Sequence, residues 1–112
     1  GKVVGEVEGR TCVVIDDMID TAGTITKAVE ALFEAGAKDV IIAATHAVFS
    51  GPAVERLRES RAVEIVVTDS LPLSEDQKFD KLTVLSIAPL LARAIREVFE
   101  DGSVTSLFDG HS

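Results

Sequence analysis

At 112 residues and 46% hydrophobic content, the chain has room for one globular domain, residues 1–112, and not for two. A formal net charge of −8 excludes nucleic acid and anionic membrane as main partners, since both reward clustered Lys and Arg; a small phosphorylated ligand held by backbone N–H groups stays open. No apolar run approaches the roughly 18 residues that cross a bilayer, no charged-then-apolar leader opens the chain, and the single cysteine has no internal partner, so a soluble, reducing compartment, the cytoplasm, is expected.

In chain order, Val3 to Val7 reads as an edge strand or hairpin ahead of Gly9. Val13-Val14-Ile15 is a first clear strand, opened by Cys12 as a small buried hydrophobe. Ile25, Ala28, Val29, Leu32 and Phe33 then fall at helical spacing, and Gly36 stands where a left-handed C-cap belongs. Val40 to Ala44 is a second strand. Ser50-Gly51-Pro52 reads as a cap and a first-turn proline opening a helix that carries Val54 and Leu57 inward. Ile65-Val66-Val67 is a third strand, 71–81 a polar loop, and Thr83-Val84-Leu85 a fourth strand. Ser86 caps a last helix with an apolar stripe of Ile87, Leu90, Leu91, Ala94, Ile95 and Val98.

The strands are apolar without polar alternation, which is how strands covered on both faces read. Their alternation with helices predicts an α/β fold: a mainly parallel sheet with right-handed crossovers and helices on both faces, a Rossmann-like three-layer arrangement. The chain begins at Gly1 without an initiator methionine, which reads as a piece of a longer protein, truncated at its N-terminus.

The chemistry concentrates in "VVIDDMIDTAGT", Val13 to Thr24, with three carboxylates in five residues after a strand. In an open α/β sheet, ligands bind beyond the carboxyl ends of the strands, and the spacing places Asp16 just past such an end. Asp20-Thr21-Ala22-Gly23-Thr24 supplies small residues, hydroxyl donors and N–H groups at a helix start, which together suit a phosphate. Asp16 and Asp17 repel phosphate and need another partner: vicinal sugar hydroxyls, or a divalent cation accompanying a polyphosphate. The bland alternative makes Asp20 or Thr21 a helix cap and Asp16 and Asp17 turn residues, yet a cap needs one acidic residue rather than three.

Asp16 to Thr24 resembles the phosphoribosyl diphosphate motif shared by type I phosphoribosyltransferases and ribose-phosphate diphosphokinases. "VIIAATHAVFSGPAVERL" (Val40 to Leu57), "VTDSLP" (Val67 to Pro72), "VLSIAPLLARAI" (Val84 to Ile95) and "GSVTSLF" (Gly102 to Phe108) are similar, in order, to successive segments of the C-terminal part of the diphosphokinases. The resemblance runs from about Val4 to Gly110. It implies a phosphoribosyltransferase-like fold and, in full-length relatives, transfer of the diphosphoryl group of ATP to the C1 hydroxyl of ribose 5-phosphate with Mg²⁺, in nucleotide biosynthesis.

Carried across, Asp20, Thr21, Ala22, Gly23 and Thr24 hold the 5-phosphate, while Asp16 and Asp17 engage the ribose hydroxyls, directly or through the metal. Ser103, Thr105, Ser106 and Phe108 correspond to a regulatory segment for inorganic phosphate or nucleoside diphosphate at subunit interfaces, against which stands a plain solvated tail. Relatives form homo-oligomers, commonly hexamers. His46 matches a histidine of the family's "ATHG" segment, with Ala47 in place of the glycine; on residue chemistry alone it reads as structural, and no catalytic residue is assigned. Much of the ATP site and part of the metal site lie N-terminal to Gly1 in the family, so this chain alone is expected to lack diphosphokinase activity. The basic cluster Arg56, Arg58 and Arg61 reads as a solvated helix end away from the motif. A type I phosphoribosyltransferase domain and a non-catalytic regulatory or scaffold module derived from the synthetase are the alternative readings.

Overall fold

A computed structural model describes residues 6–100. Four strands, β1 (Thr11–Ile19), β2 (Asp39–Ala47), β3 (Glu64–Thr68) and β4 (Leu82–Leu85), form one sheet in the order β1-β2-β3-β4, with every neighbouring pair parallel. Helix α1 (Gly23–Glu34) connects β1 to β2, and α2 (Ala53–Glu59) connects β2 to β3. A loop with a short 3₁₀ turn (Glu75–Gln77) leads to β4, and α3 (Ala88–Phe99) follows. The α/β class and the parallel sheet are those the sequence pattern implies.

Helix α1 ends as Gly36 suggests. Gly36 has φ of 98°, its amide donates to Phe33 O and the Ala37 amide to Leu32 O, so two carbonyls at the helix end are satisfied by a left-handed turn. An added Cβ there would lie 3.0 Å from Glu8 Cγ and 3.2 Å from Glu8 Cα, so the turn also packs closely against the segment ahead of β1. The expected Ser50 cap of α2 is not made. Pro52 occupies the cap position with no side-chain hydrogen bond, and Ser50 contributes only its carbonyl, which accepts from the Ala53 amide at 3.2 Å. Nor is Ser86 the cap residue of α3: Ile87 takes that position with no side-chain hydrogen bond, and Ser86, one residue ahead, accepts on its Oγ from the Ala88 amide at 3.3 Å.

Strand register divides the side chains between two faces. Cys12 and Val14 of β1, Val40, Ile42 and Ala44 of β2, and Ile65 and Val67 of β3 share one face, where they pack with Ile25 and Val29 of α1 and Ala53 and Leu57 of α2. Val29, Val40, Ile42, Leu57 and Ile65 are fully buried, and each such side chain contributes on the order of 1.5–3 kcal/mol relative to exposure.

The other face departs from the sequence expectation of cover on both sides. Val13 is 52% exposed, Ile15 79% and Leu85 52%, with Ile41, Ala43 and Val66 only partly covered. Both crossover helices lie on the opposite face, and α3 has no buried residue, so its stripe of Leu90, Leu91, Ile95 and Val98 is also exposed. Among the described residues the assembly is therefore one helical layer on one sheet. The strands read as doubly covered because an apolar run records that a face is apolar and not what lies over it.

Candidate functional site

The three motif carboxylates lie at the C-terminal edge of the sheet, but not where strand length suggests. Strand β1 continues through the first two and ends just before Asp20: Asp16 pairs with Ala44, Met18 with His46 and Ile19 with Ala47. Asp16 and Asp17 are thus held on a strand rather than in a turn beyond it, and both are exposed. The Asp17 amide donates to Asp16 Oδ1 at 2.7 Å. Hydrogen bonding from the Asp17 carboxyl, and then from the Asp17 amide, holds the Asp16 carboxyl below its usual range, against a smaller opposing effect of desolvation.

Residues 16–25 line one cleft of about 310 Å³. It takes in all seven residues to which the sequence gives a role in ribose or phosphate binding: Asp16, Asp17, Asp20, Thr21, Ala22, Gly23 and Thr24. At its floor Ala22, buried and with φ of 65°, forms the cap position of α1. No side chain caps this helix, so neither Asp20 nor Thr21 serves as the ordinary cap that the bland reading requires. Thr26 closes the turn from behind: its amide donates to Ala22 O at 3.1 Å and its Oγ1 to the same oxygen at 2.6 Å.

Among the described residues, the amides of Thr21, Ala22, Gly23, Thr24 and Ile25 donate to no protein acceptor. Five successive unpaired donors at a helix start, where the dipole is positive, form a cradle suited to an anion. Thr21 and Thr24 line the same cleft and are exposed.

Donors from the β2–α2 connection fix the back of this loop. Ile19 O accepts from the amides of Val48 and Phe49 at 3.0 and 3.1 Å, and Asp20 O from that of Ser50 at 2.9 Å. Thr21 O accepts from Arg56 Nη1 at 3.1 Å. This corrects the placement of the basic cluster: Arg56 touches the motif, and Arg61 lies 4.1 Å over the Phe33 ring and 3.9 Å from Glu30 on α1. Arg56 and Thr26 carried no motif in the sequence; only the packing of α2 beside α1 reveals the first, and only the i to i−4 bond to Ala22 the second.

His46 is brought to the same edge through its pairing with Met18, and its Nδ1 lies 2.7 Å from Ser70 Oγ at the end of β3. The proposed regulatory residues Ser103, Thr105, Ser106 and Phe108 lie outside the described residues. For a metal, the described residues contain no group of three or more His, Cys, Asp and Glu side chains placed to hold an ion. Asp16 and Asp17 form no ion pair with a protein cation among the described residues and would supply two carboxylates of a shell that a ligand completes. No described helix is long and apolar enough to cross a membrane.

The family model described as phosphoribosyl synthetase-associated domain matches residues 2–109. The chain belongs to this family. The ribose-phosphate pyrophosphokinase of Mycobacterium tuberculosis is 65% identical over 109 residues, covering 97% of this chain and 33% of that protein. The protein of the same name from Streptomyces coelicolor is 63% identical over 108 residues, covering 96% and 33%. The crystal structure of phosphoribosylpyrophosphate synthetase from Mycobacterium smegmatis superposes with a TM-score of 0.80 at 64% identity, over 88% of this chain and 33% of that one. The chain thus corresponds to a region of this enzyme family and spans about a third of the length of the curated relatives it matches. The resemblance drawn from the motif segments is borne out in both sequence and fold.

Proposed function

We propose that this phosphoribosyl synthetase-associated domain is the part of a ribose-phosphate diphosphokinase that binds ribose 5-phosphate and its product, phosphoribosyl diphosphate. One observation carries the reading: five unpaired backbone amides share a single cleft with two exposed carboxylates. The amides of residues 21–25 and the hydroxyls of Thr21 and Thr24 hold the 5-phosphate, with Asp20 at the start of the loop. Asp16 and Asp17 accept hydrogen bonds from the ribose hydroxyls, or hold them through Mg²⁺, which keeps waters and binds through one or two carboxylates together with ligand oxygens.

Diphosphoryl transfer from ATP to the sugar depends on positioning and on charge neutralisation. The cleft supplies the first for the acceptor sugar. Mg²⁺ supplies part of the second, and the donor half, with the ATP site, belongs to the two-thirds of the relatives' length that this chain does not span. The 112-residue chain therefore binds the sugar phosphate without turning over ATP.

The test is a titration of the chain with ribose 5-phosphate, with and without Mg²⁺, followed by backbone amide NMR. Saturable shifts confined to Asp16 through Ile25, absent with unphosphorylated ribose, are expected. A folded chain whose loop amides stay still, or respond equally to ribose, would overturn the proposal.

A further inference from the structure

We infer that Arg56 is the positioning residue of the anion loop: by holding the Thr21 carbonyl from behind, it turns the next amide, that of Ala22, into the cleft. It rests on the ribose-phosphate reading only for the identity of the anion.

Three successive carbonyls, those of Ile19, Asp20 and Thr21, accept from donors of residues 48–56. The first two are held by backbone amides, which any sequence would provide. The third is held by one side chain, Arg56, reaching from the last turn of α2 across 35 residues of sequence. In a trans peptide the C=O and the following N–H point in opposite directions. Fixing Thr21 O on the α2 side therefore fixes the Ala22 N–H on the cleft side, where it meets no protein acceptor among the described residues.

Two further features need this hold. Ala22 has φ of 65°, a conformation unfavourable to a non-glycine residue that persists only where the surroundings impose it. Gly23 leaves the guanidinium its place: a Cβ there would sit 3.1 Å from Arg56 Nη1. The loop also separates two clefts. Arg56 lines the rear one, about 520 Å³ between α1 and α2, which shares only Gly23 with the anion cleft. Arg56 thus acts on the ligand through the peptide it orients, with its positive charge behind the cradle.

The experiment compares the 112-residue chain with its Arg56→Met and Arg56→Lys variants. Ligand-free amide spectra and hydrogen exchange of Ala22 and Gly23 are measured first, then the affinity for ribose 5-phosphate. Arg56 is exposed, so exchange of the core amides of Ile42 and Ile65 serves as a control for the fold.

In Arg56→Met the Ala22 and Gly23 amides should shift and exchange faster while the core amides hold. Affinity should fall roughly tenfold to a hundredfold, the effect of losing a charge-assisted hydrogen bond. Arg56→Lys, which keeps one donor and the charge, should recover most of both. Unmoved Ala22 and Gly23 amides in Arg56→Met, or an affinity equal to that of the parent, would overturn the inference. If the parent chain binds no ribose 5-phosphate, the ligand assignment falls. The ligand-free Ala22 and Gly23 signals then decide the role of Arg56 by themselves: movement upholds it and stillness refutes it.

Discussion

The open face of the sheet separates two isoleucines that look alike in sequence. Ile42 on β2 is fully buried under α1 and α2, whereas Ile15 on the neighbouring strand is 79% exposed. Truncating Ile42 to alanine removes buried methyl groups and leaves a cavity in a close-packed layer, at a cost of about 2–5 kcal/mol. Truncating Ile15 removes a side chain that is mostly in water already, so only strand preference is lost, below about 1 kcal/mol. Urea unfolding of Ile42→Ala and Ile15→Ala at low protein concentration, with the slope checked for constancy, measures both directly. The difference should be at least about 1 kcal/mol, with Ile42→Ala the weaker protein. Equal losses, or a loss at Ile15 of about 2 kcal/mol or more, would show that this face is covered in solution and would refute the one-layer description. Repeating Ile15→Ala at high concentration adds a second reading: large exposed apolar patches drive association, so the variant should self-associate less than the parent.

Two other outcomes follow from single contacts. The Asp17 side chain is the main cause of the lowered Asp16 titration, so in Asp17→Ala the Asp16 carboxyl midpoint, followed by carboxylate carbon NMR, should move up toward its ordinary range. Because the folded value is depressed, the stabilisation linked to Asp16 is present above the ordinary aspartate range and is lost as pH falls through the folded value. In Asp17→Ala the folded value approaches the unfolded one, so that linked stabilisation should shrink, and an unmoved midpoint would show that Asp17 is not the cause. Gly36→Ala puts a Cβ at φ of 98° and within 3.0 Å of Glu8 Cγ, so it should lose roughly 1–3 kcal/mol in thermal or urea unfolding; a neutral result would mean that the Glu8 segment yields freely.

What the sequence shows and what it hides divide along physical lines. The four strands, α1 and its glycine terminator were legible because each is specified locally, by β-branched runs, by helical spacing and by one residue tolerant of positive φ. The candidate site was legible for the same reason: Asp16 to Thr24 is contiguous, and all of it lines one cleft. The extent of β1 was not. Asp16 and Asp17 break its apolar pattern, and only the partner strand, running on to His46 and Ala47, carries the ladder past them to Met18 and Ile19. Ser50 failed as a cap for a related reason, since its amide is directed to Asp20 O and the segment is shaped by that bond and by Phe49 at φ of 53°.

Arg56 marks the limit of local reading most sharply. In sequence it sits between Glu55 and Leu57 with two more arginines nearby, and nothing within a helical turn distinguishes it from a solvated charge. Its contact with Thr21 O arises because Leu57, its neighbour, is fully buried against the sheet, which sets the rotation of α2 and brings the Arg56 side chain to the back of the α1 loop. The same burial leaves Arg58 and Glu59 exposed. A site of this kind is therefore written in two layers. The contiguous motif provides the groups that line the cleft, and a helix packed behind it by ordinary apolar burial supplies the side chain that meets the loop from the back.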